Sequence, residues 1–226
     1  MMSVELLSFI QLSRQDSVSG RVFFQPCSQQ IWGGDSIVLN GVSGSGKSVF
    51  LRTLALLETP SSGEIYYQQR LVNSKNVSHY RSEVAYLRQH PELIKGSVEE
   101  NIRLPWRFRA NQQKAFDRAQ LENYLSALNL PSSFLQKESV NLSGGERQLC
   151  SLLRTLMLNP RLLLLDEPTS ALDTVAVGRV EALLSSWLNS ERAMVWVSHD
   201  EAQKQRMAKK RWLMQNGNLS FQEATS

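Results

Sequence analysis

The run GVSGSGKS at residues 41–48 combines three glycines, a lysine and a serine at the spacing G-x-x-x-x-G-K-S. Gly41, Gly44 and Gly46 let the backbone curl until successive N–H groups point at one anion, and a helix beginning at Lys47 adds its positive end. Such a loop cradles phosphate oxygens. Lys47 is expected to reach the β and γ phosphates of a nucleoside triphosphate, and the Ser48 hydroxyl to ligate Mg²⁺. Val42, Ser43, Ser45 and Val49 complete the contact surface. A flexible loop with a solvated lysine is the plain alternative, but a strand-like run before it and a helical run after it favour the cradle.

A second chemical centre is RLLLLDE, where leucines 162–165 build a buried strand and Asp166 emerges at its carboxyl end. Ligands of open α/β sheets gather at that end, so Asp166 is expected to face Mg²⁺ directly or through water. Glu167 can reach the water attacking the γ phosphate, which makes it the candidate general base. An acidic pair that only closes a turn is the alternative. A third feature, LSGGERQL at residues 142–149, sets Ser143 as an N-cap before Gly144 and Gly145 at the mouth of a helix. Bare N–H groups beside a serine hydroxyl form an anion site. On its own, the glycine pair would be an ordinary turn or helix start with unusual dihedrals.

These residues need elements to hold them. DSIVLN reads as a buried parallel strand ahead of the cradle, followed by a helix from Lys47 to about Leu57 that stops near Pro60. SVELLSF and RVFFQP read as early antiparallel strands curved over the core, and GEIYYQ and EVAYLRQ as two more. Between Pro91 and Asn141 the pattern turns helical, including QKAFDRAQLENYLSALNL, closed by Pro131. RLLLLDE, a helix from about Thr174 to Leu188, the strand AMVWVSH and a last helix and strand pair finish the chain. The alternation implies an α/β fold: a P-loop NTPase with a mostly parallel core sheet, an antiparallel β subdomain and an inserted helical subdomain. As a single nucleotide-binding domain over 1–226, the core with its antiparallel part would occupy 1–90 and 141–226, and the helical subdomain 91–140.

At 226 residues and 42% hydrophobic, the chain can bury a sizeable core. Its 25 basic and 21 acidic residues leave a charge of +4, too scattered to argue for a nucleic-acid partner. Cys27 and Cys150 lie far apart without metal-ligand spacing, which favours reduced thiols, and Cys150 fits the buried face of the helix after Ser143. MMSVELLSF lacks a basic start before a long apolar core, so no secretory signal is expected. No apolar run approaches bilayer-spanning length.

In order, the cradle, a glutamine after a strand, LSGGE, LLLLDE, SALD and a late histidine resemble the ATP-binding cassette (ABC) ATPases over most of the chain. The cradle marks many NTPases; LSGGE between the two nucleotide motifs marks this family. The resemblance implies a RecA-like core, ATP and Mg²⁺, and a head-to-tail dimer with a second copy of the chain. In it, Ser143, Gly144 and Gly145 of one copy close over the γ phosphate held by the other. Gln89, in YLRQHPEL, resembles the glutamine that contacts Mg²⁺ or the attacking water and hinges the helical subdomain. His199, in VWVSHDE, resembles a switch histidine that contacts the γ phosphate, and Asp173, in SALD, resembles the residue linking the two sites across the dimer. Taken alone, Gln89 would be a loop residue, His199 a structural one and Asp173 a helix cap.

One feature departs from the family pattern. An aromatic residue after the first strand usually stacks on adenine, and IQLSRQDSVSGRV offers none. Phe9 and Phe23 are the substitutes at hand, and both read as strand residues facing the core. Phosphate and Mg²⁺ contacts would then carry more of the affinity. Because the chain has no spanning segment, the resemblance implies the ATP-hydrolysing subunit of a transporter with a separate integral membrane permease, peripheral at the cytoplasmic face of the inner (cell) membrane. HPELIKGSVEENIRLPWRFR carries Leu93, Ile94, Leu104 and Trp106 among charges and reads as part of a groove for a short permease helix, an internal core face being the alternative. ENIRLPWRFR and TLMLNPRLLLLDEPTSALD resemble the ATP-binding subunits of bacterial iron-export systems; lipoprotein-release, amino-acid and other metal systems stay open. A soluble cassette acting on DNA or ribosomes would carry a long coiled coil or two cassettes, and neither is present. A regulator that binds ATP without hydrolysing it conflicts with intact Lys47, Asp166, Glu167 and His199.

Overall fold

The computed structural model describes residues 4–109, 111, 112 and 114–223. The chain start at Met1, the strand start expected at Ser3 and the helix start expected at Gln113 lie outside the described residues. In chain order the elements are β1 (Glu5–Gln15), β2 (Val22–Trp32), β3 (Ser36–Asn40), α1 (Lys47–Leu54), β4 (Ser62–Tyr67), β5 (Arg70–Leu71), α2 (Val77–Glu83), β6 (Val84–Leu87), α3 (Val98–Arg103), α4 (Arg118–Ala127), α5 (Gly144–Met157), β7 (Leu162–Asp166), α6 (Thr174–Trp187), β8 (Ala193–Val197), α7 (Glu201–Met207), β9 (Lys210–Gln215) and β10 (Asn218–Glu223). They fall into two compact units. The first comprises residues up to Tyr86, 161–167 and from Leu188 onward, and the second 87–160 and 168–187.

The first unit is built on two sheets, ordered β2-β1-β4-β5 and β10-β9-β3-β8-β7-β6. The smaller sheet is antiparallel throughout, as the early strands led one to expect. The larger is parallel across β9, β3, β8 and β7, with β10 antiparallel at its edge. β3, β7 and β8 are continuous apolar runs because both their faces are covered: Ile37, Val38, Leu162–Leu165 and Val195–Val197 are fully buried. Phe50 of α1 is the pivot of the core. It meets Phe24 at 5.2 Å, Phe9 at 5.7 Å and Trp212 at 6.1 Å, all edge to face. Each such pair adds about 0.5–1.5 kcal/mol beyond burial, so β1, β2 and β9 together hold the helix that starts at the cradle. That helix was expected to reach Leu57. It stops at Leu54, and Leu56 takes a left-handed turn (φ 54°) that returns the chain, with Leu57 N–H bonding the Arg52 carbonyl.

In the second unit α5 lies against α3 and α4, and α4 also touches α6. The unit is broader than the 91–140 segment, since α5, α6 and the loop between β7 and α6 belong to it. α5 is strongly amphipathic, and Cys150, Leu152 and Leu153 are fully buried on its inner face. The helix expected from Gln113 starts only at Arg118, because the Asp117 carboxylate caps it by accepting the Gln120 N–H at 2.9 Å. Among the described residues, no helix is long and apolar enough to cross a membrane.

Candidate active site

The loop from Gly41 to Gly46 joins β3 to α1. Gly46 stands at the N-cap with φ 103°, and a Cβ there would lie 2.8 Å from the Phe23 carbonyl oxygen. Left-handed backbone and a neighbouring main chain both exclude a side chain, so the loop can press against β2. No side chain caps α1, which leaves its first turn to an incoming anion. The Ser45 hydroxyl is buried in the cradle without a hydrogen-bond partner. Lys47 is 7% exposed and donates Nζ hydrogens to the carbonyls of Gly41 (2.8 Å) and Val42 (2.9 Å). Burial lowers its pKa, while the Glu167 and Asp166 carboxylates oppose that shift, so both acids act electrostatically on the lysine. Ser48 and Val49 lie in the first turn of α1; the Val49 side chain packs against the core, leaving its backbone for phosphate contact.

Asp166 ends β7 and is 3% exposed, with its Oδ2 accepting the Tyr86 hydroxyl at 2.8 Å. Burial first, then the Asp166 charge, push the Tyr86 pKa well above the usual tyrosine range, so Tyr86 remains a donor. Glu167 has φ 50°, a left-handed conformation that costs a non-glycine residue of order 1–3 kcal/mol and clusters at functional sites. Its N–H bonds the Val197 carbonyl at 3.1 Å, which holds the turn against β8. His199 follows β8, in a turn fixed by Asp200: that residue's N–H bonds the Ser198 hydroxyl (3.0 Å) and its carboxylate caps α7 at Gln203 (2.9 Å). The His199 Nε2–H donates to Glu167 Oε1 at 2.9 Å, with the histidine side chain 56% exposed and the glutamate 15%. The strand-end acid pair and the late histidine therefore form one constellation beside the lysine.

Beside the cradle, a cavity of about 260 Å³ is lined by Arg21, Val22, Phe23, Ser45, Asn216 and Gly217, with Val42, Ser43 and Gly44 at its loop side. The Arg21 guanidinium lies 5.3 Å above the Phe23 ring and donates to the Gly44 carbonyl at 3.3 Å. Phe9 faces the core as expected, at 1% exposure. Phe23 corrects the reading: it packs against the core on one side and lines this cavity on the other. Sequence reasoning missed Arg21 and Tyr86, since their partners lie far along the chain.

The second unit carries Gln89, Ser143, Gly144, Gly145 and Asp173. Ser143 caps α5 in a reciprocal box: its hydroxyl accepts the Glu146 N–H (3.2 Å) and Glu146 Oε2 accepts the Ser143 N–H (2.9 Å). Neither glycine has a left-handed φ. A Cβ on Gly145 would meet the Ala171 carbonyl oxygen at 2.9 Å, whereas one on Gly144 would make only ordinary contact, 3.6 Å to the Ala171 Cβ. The 168–173 loop is tied to α5 by the Ala171 N–H bonding Gln148 Oε1 at 3.0 Å, and Asp173 caps α6 through the Ala176 N–H at 2.8 Å.

A phosphate loop after a buried parallel strand, with an acid pair at the end of a second strand of the same sheet, defines a P-loop nucleotide hydrolase. The chain belongs to the ABC transporter family, whose sequence model matches residues 24–170. It is similar to the probable iron export ATP-binding protein FetA of Escherichia coli (strain K12), 37% identical over 74% of this chain and 74% of that protein. It is also similar to the putative ABC transporter ATP-binding protein YjkB of Bacillus subtilis (strain 168), 32% identical over 96% of this chain and 86% of that one. In fold it matches the ATP-binding cassette MJ0796, solved as a dimer in a post-hydrolysis state with ADP and Pi, at TM-score 0.86 and 22% identity, covering 98% of this chain and 100% of that one. The protein is the ATP-binding, ATP-hydrolysing subunit of an ABC transporter.

Proposed function

We propose that two copies of this chain sandwich ATP and Mg²⁺ head to tail, hydrolyse the ATP in two shared sites and so drive a separate permease from the cytoplasmic face of the inner membrane. The observation that carries the shared site is Gly144. Its backbone conformation is ordinary and a side chain would fit within its own chain, so the need for a bare backbone comes from outside. A γ phosphate held by another copy's cradle meets that need at a helix mouth already capped by Ser143. The dimeric MJ0796 cassette with ADP and Pi supports the arrangement by analogy. Asp173, beside this mouth, would link the two sites.

Within a site, Glu167 accepts the proton of the attacking water, and His199 holds the Glu167 carboxylate in place and meets the γ phosphate. Lys47 leaves the loop carbonyls for the β and γ phosphates. The donor set of the first unit fits Mg²⁺, which favours one or two carboxylates plus substrate phosphates: Asp166 and the Ser48 hydroxyl would hold it. Bound there, the ion neutralises charge between the β and γ phosphates. The base packs into the cavity beside the cradle, against the stacked Arg21 and Phe23 in place of a loop aromatic.

The permease is expected to dock at residues 90–109, where Leu93, Ile94, Leu104 and Trp106 are half-buried among charges. There, Trp106 and Arg103 border a cavity of about 420 Å³. The occupant is an amphipathic permease helix, and ATP-driven closure would move it. Likeness to FetA supports iron, or another metal, as the exported cargo. Affinity capture from detergent-solubilised membranes tests this reading. A multi-span membrane protein that raises ATP turnover is expected; rRNA or DNA with no membrane protein would contradict it. Iron efflux from cells producing both chains tests the cargo.

A further inference from the structure

We propose that the Tyr86 hydroxyl, backed by Arg52, is the positioning group that orients the Asp166 carboxylate toward the metal; this rests on the metal-facing role proposed for Asp166. Asp166 is buried at the end of β7, and its Oδ2 is engaged by Tyr86 at 2.8 Å. Oδ1 is thereby the oxygen left for the ion or its water. A phenol hydrogen can swing between partners, but here the positive Arg52 guanidinium acts on the Tyr86 oxygen and disfavours a hydrogen turned toward it. A carboxylate is acceptor only, so in this bond the Tyr86 hydrogen points at Asp166.

Arg52 is itself anchored. Its Nε donates to Glu58 Oε1 at 2.7 Å, and Glu58 also pairs with Arg14 at 3.4 Å. The ion pairs Arg14–Glu58 and Glu58–Arg52 are charge-assisted, and the Arg52 charge acts in turn on the Tyr86 that bonds Asp166. Arg52 lies four residues after Ser48 on α1, one turn along the same face. The helix presenting the Ser48 hydroxyl therefore carries the charge that acts on Tyr86, the donor to the strand-end carboxylate. Ser48 and Asp166, the two groups that would hold the ion, would be kept in register by this coupling.

The test is Mg²⁺ titration of the binding of a fluorescent ATP analogue by the full chain. Tyr86→Phe, which keeps the ring, is expected to raise the Mg²⁺ concentration for half-saturation by about three- to tenfold, the worth of one hydrogen bond. Affinity for the analogue in EDTA should be unchanged, an effect that loosened packing would not confine to the metal. Arg52→Gln is expected to shift half-saturation in the same direction, and to add nothing in the Tyr86→Phe background. Unaltered Mg²⁺ dependence in Tyr86→Phe, while Asp166→Asn raises the half-point, would overturn the positioning role alone. Unaltered dependence in Asp166→Asn would overturn the metal-facing role of Asp166 and this inference with it.

Discussion

The mouths of α1 and α5 both open on glycine, for opposite reasons. At α1, Gly46 has a left-handed φ and a Cβ there would meet the Phe23 carbonyl, so the fold of the unit itself forbids a side chain, and no side chain caps the helix. At α5 the helix is already well made, because Ser143 and Glu146 satisfy each other's amides and Lys137 anchors Glu146 at 2.5 Å. Gly144 then answers no geometric need of its own chain, since its φ is ordinary and a Cβ would make only a 3.6 Å contact. A glycine explained by local geometry marks a site the chain builds for itself. On the proposed shared site, Gly144 is required by a partner rather than by its own chain.

In the proposed shared site chemistry belongs to the α1 side and closure to the α5 side, and substitutions can separate the two. The largest effect is expected from Glu167→Gln: phosphate release should fall by about 10²–10⁴ while calorimetry shows ATP still bound. Normal turnover would remove Glu167 from its role. Next, Gly46→Ala should lower stability by about 1–3 kcal/mol in denaturant titration and abolish ATP binding, since it forces strain and a main-chain clash. Smaller still, Gly144→Ala should leave stability unchanged or raise it by up to about 1 kcal/mol, yet slow ATP turnover. A variant that is both stabler and fully active would break the comparison.

The smallest effect concerns Glu146. Lys137 first, then the Ser143 N–H, hold its carboxyl below the ordinary value of 4.5. A depressed folded pKa stabilises above the unfolded value, and that contribution is lost as pH falls through the folded one. Amides of the first turn of α5 are therefore expected to lose hydrogen-exchange protection below about pH 4.5, and Glu146→Gln should flatten that dependence. An identical pH profile in the variant would show that the box does not anchor the helix.

Much of this was legible from residue order. The cradle, the buried strand before it and the cap at Ser143 follow from local spacing, and the capping box needs only Ser143 and Glu146. β10 also left a signal, since Asn216-Gly217 is a hairpin turn with both residues at positive φ, although the expected chain ended one strand short. α2 left little, because Tyr80 is the one buried residue of VSHYRSE and no apolar stripe forms. The pairing of His199 with Glu167, of Tyr86 with Asp166 across 80 residues, and of Arg21 with the cradle depends on which strands become neighbours. Side-chain partners of that kind are set by sheet order, which periodicity does not encode.

The shared site is tested most directly by light scattering of the Glu167→Gln chain with ATP and Mg²⁺, alone and with Ser143→Arg added. The account predicts a particle of twice the 25.6 kDa chain mass with ATP, and a monomer once Ser143 is replaced. A particle that stays monomeric with ATP bound, or a dimer that tolerates arginine at 143, would contradict it.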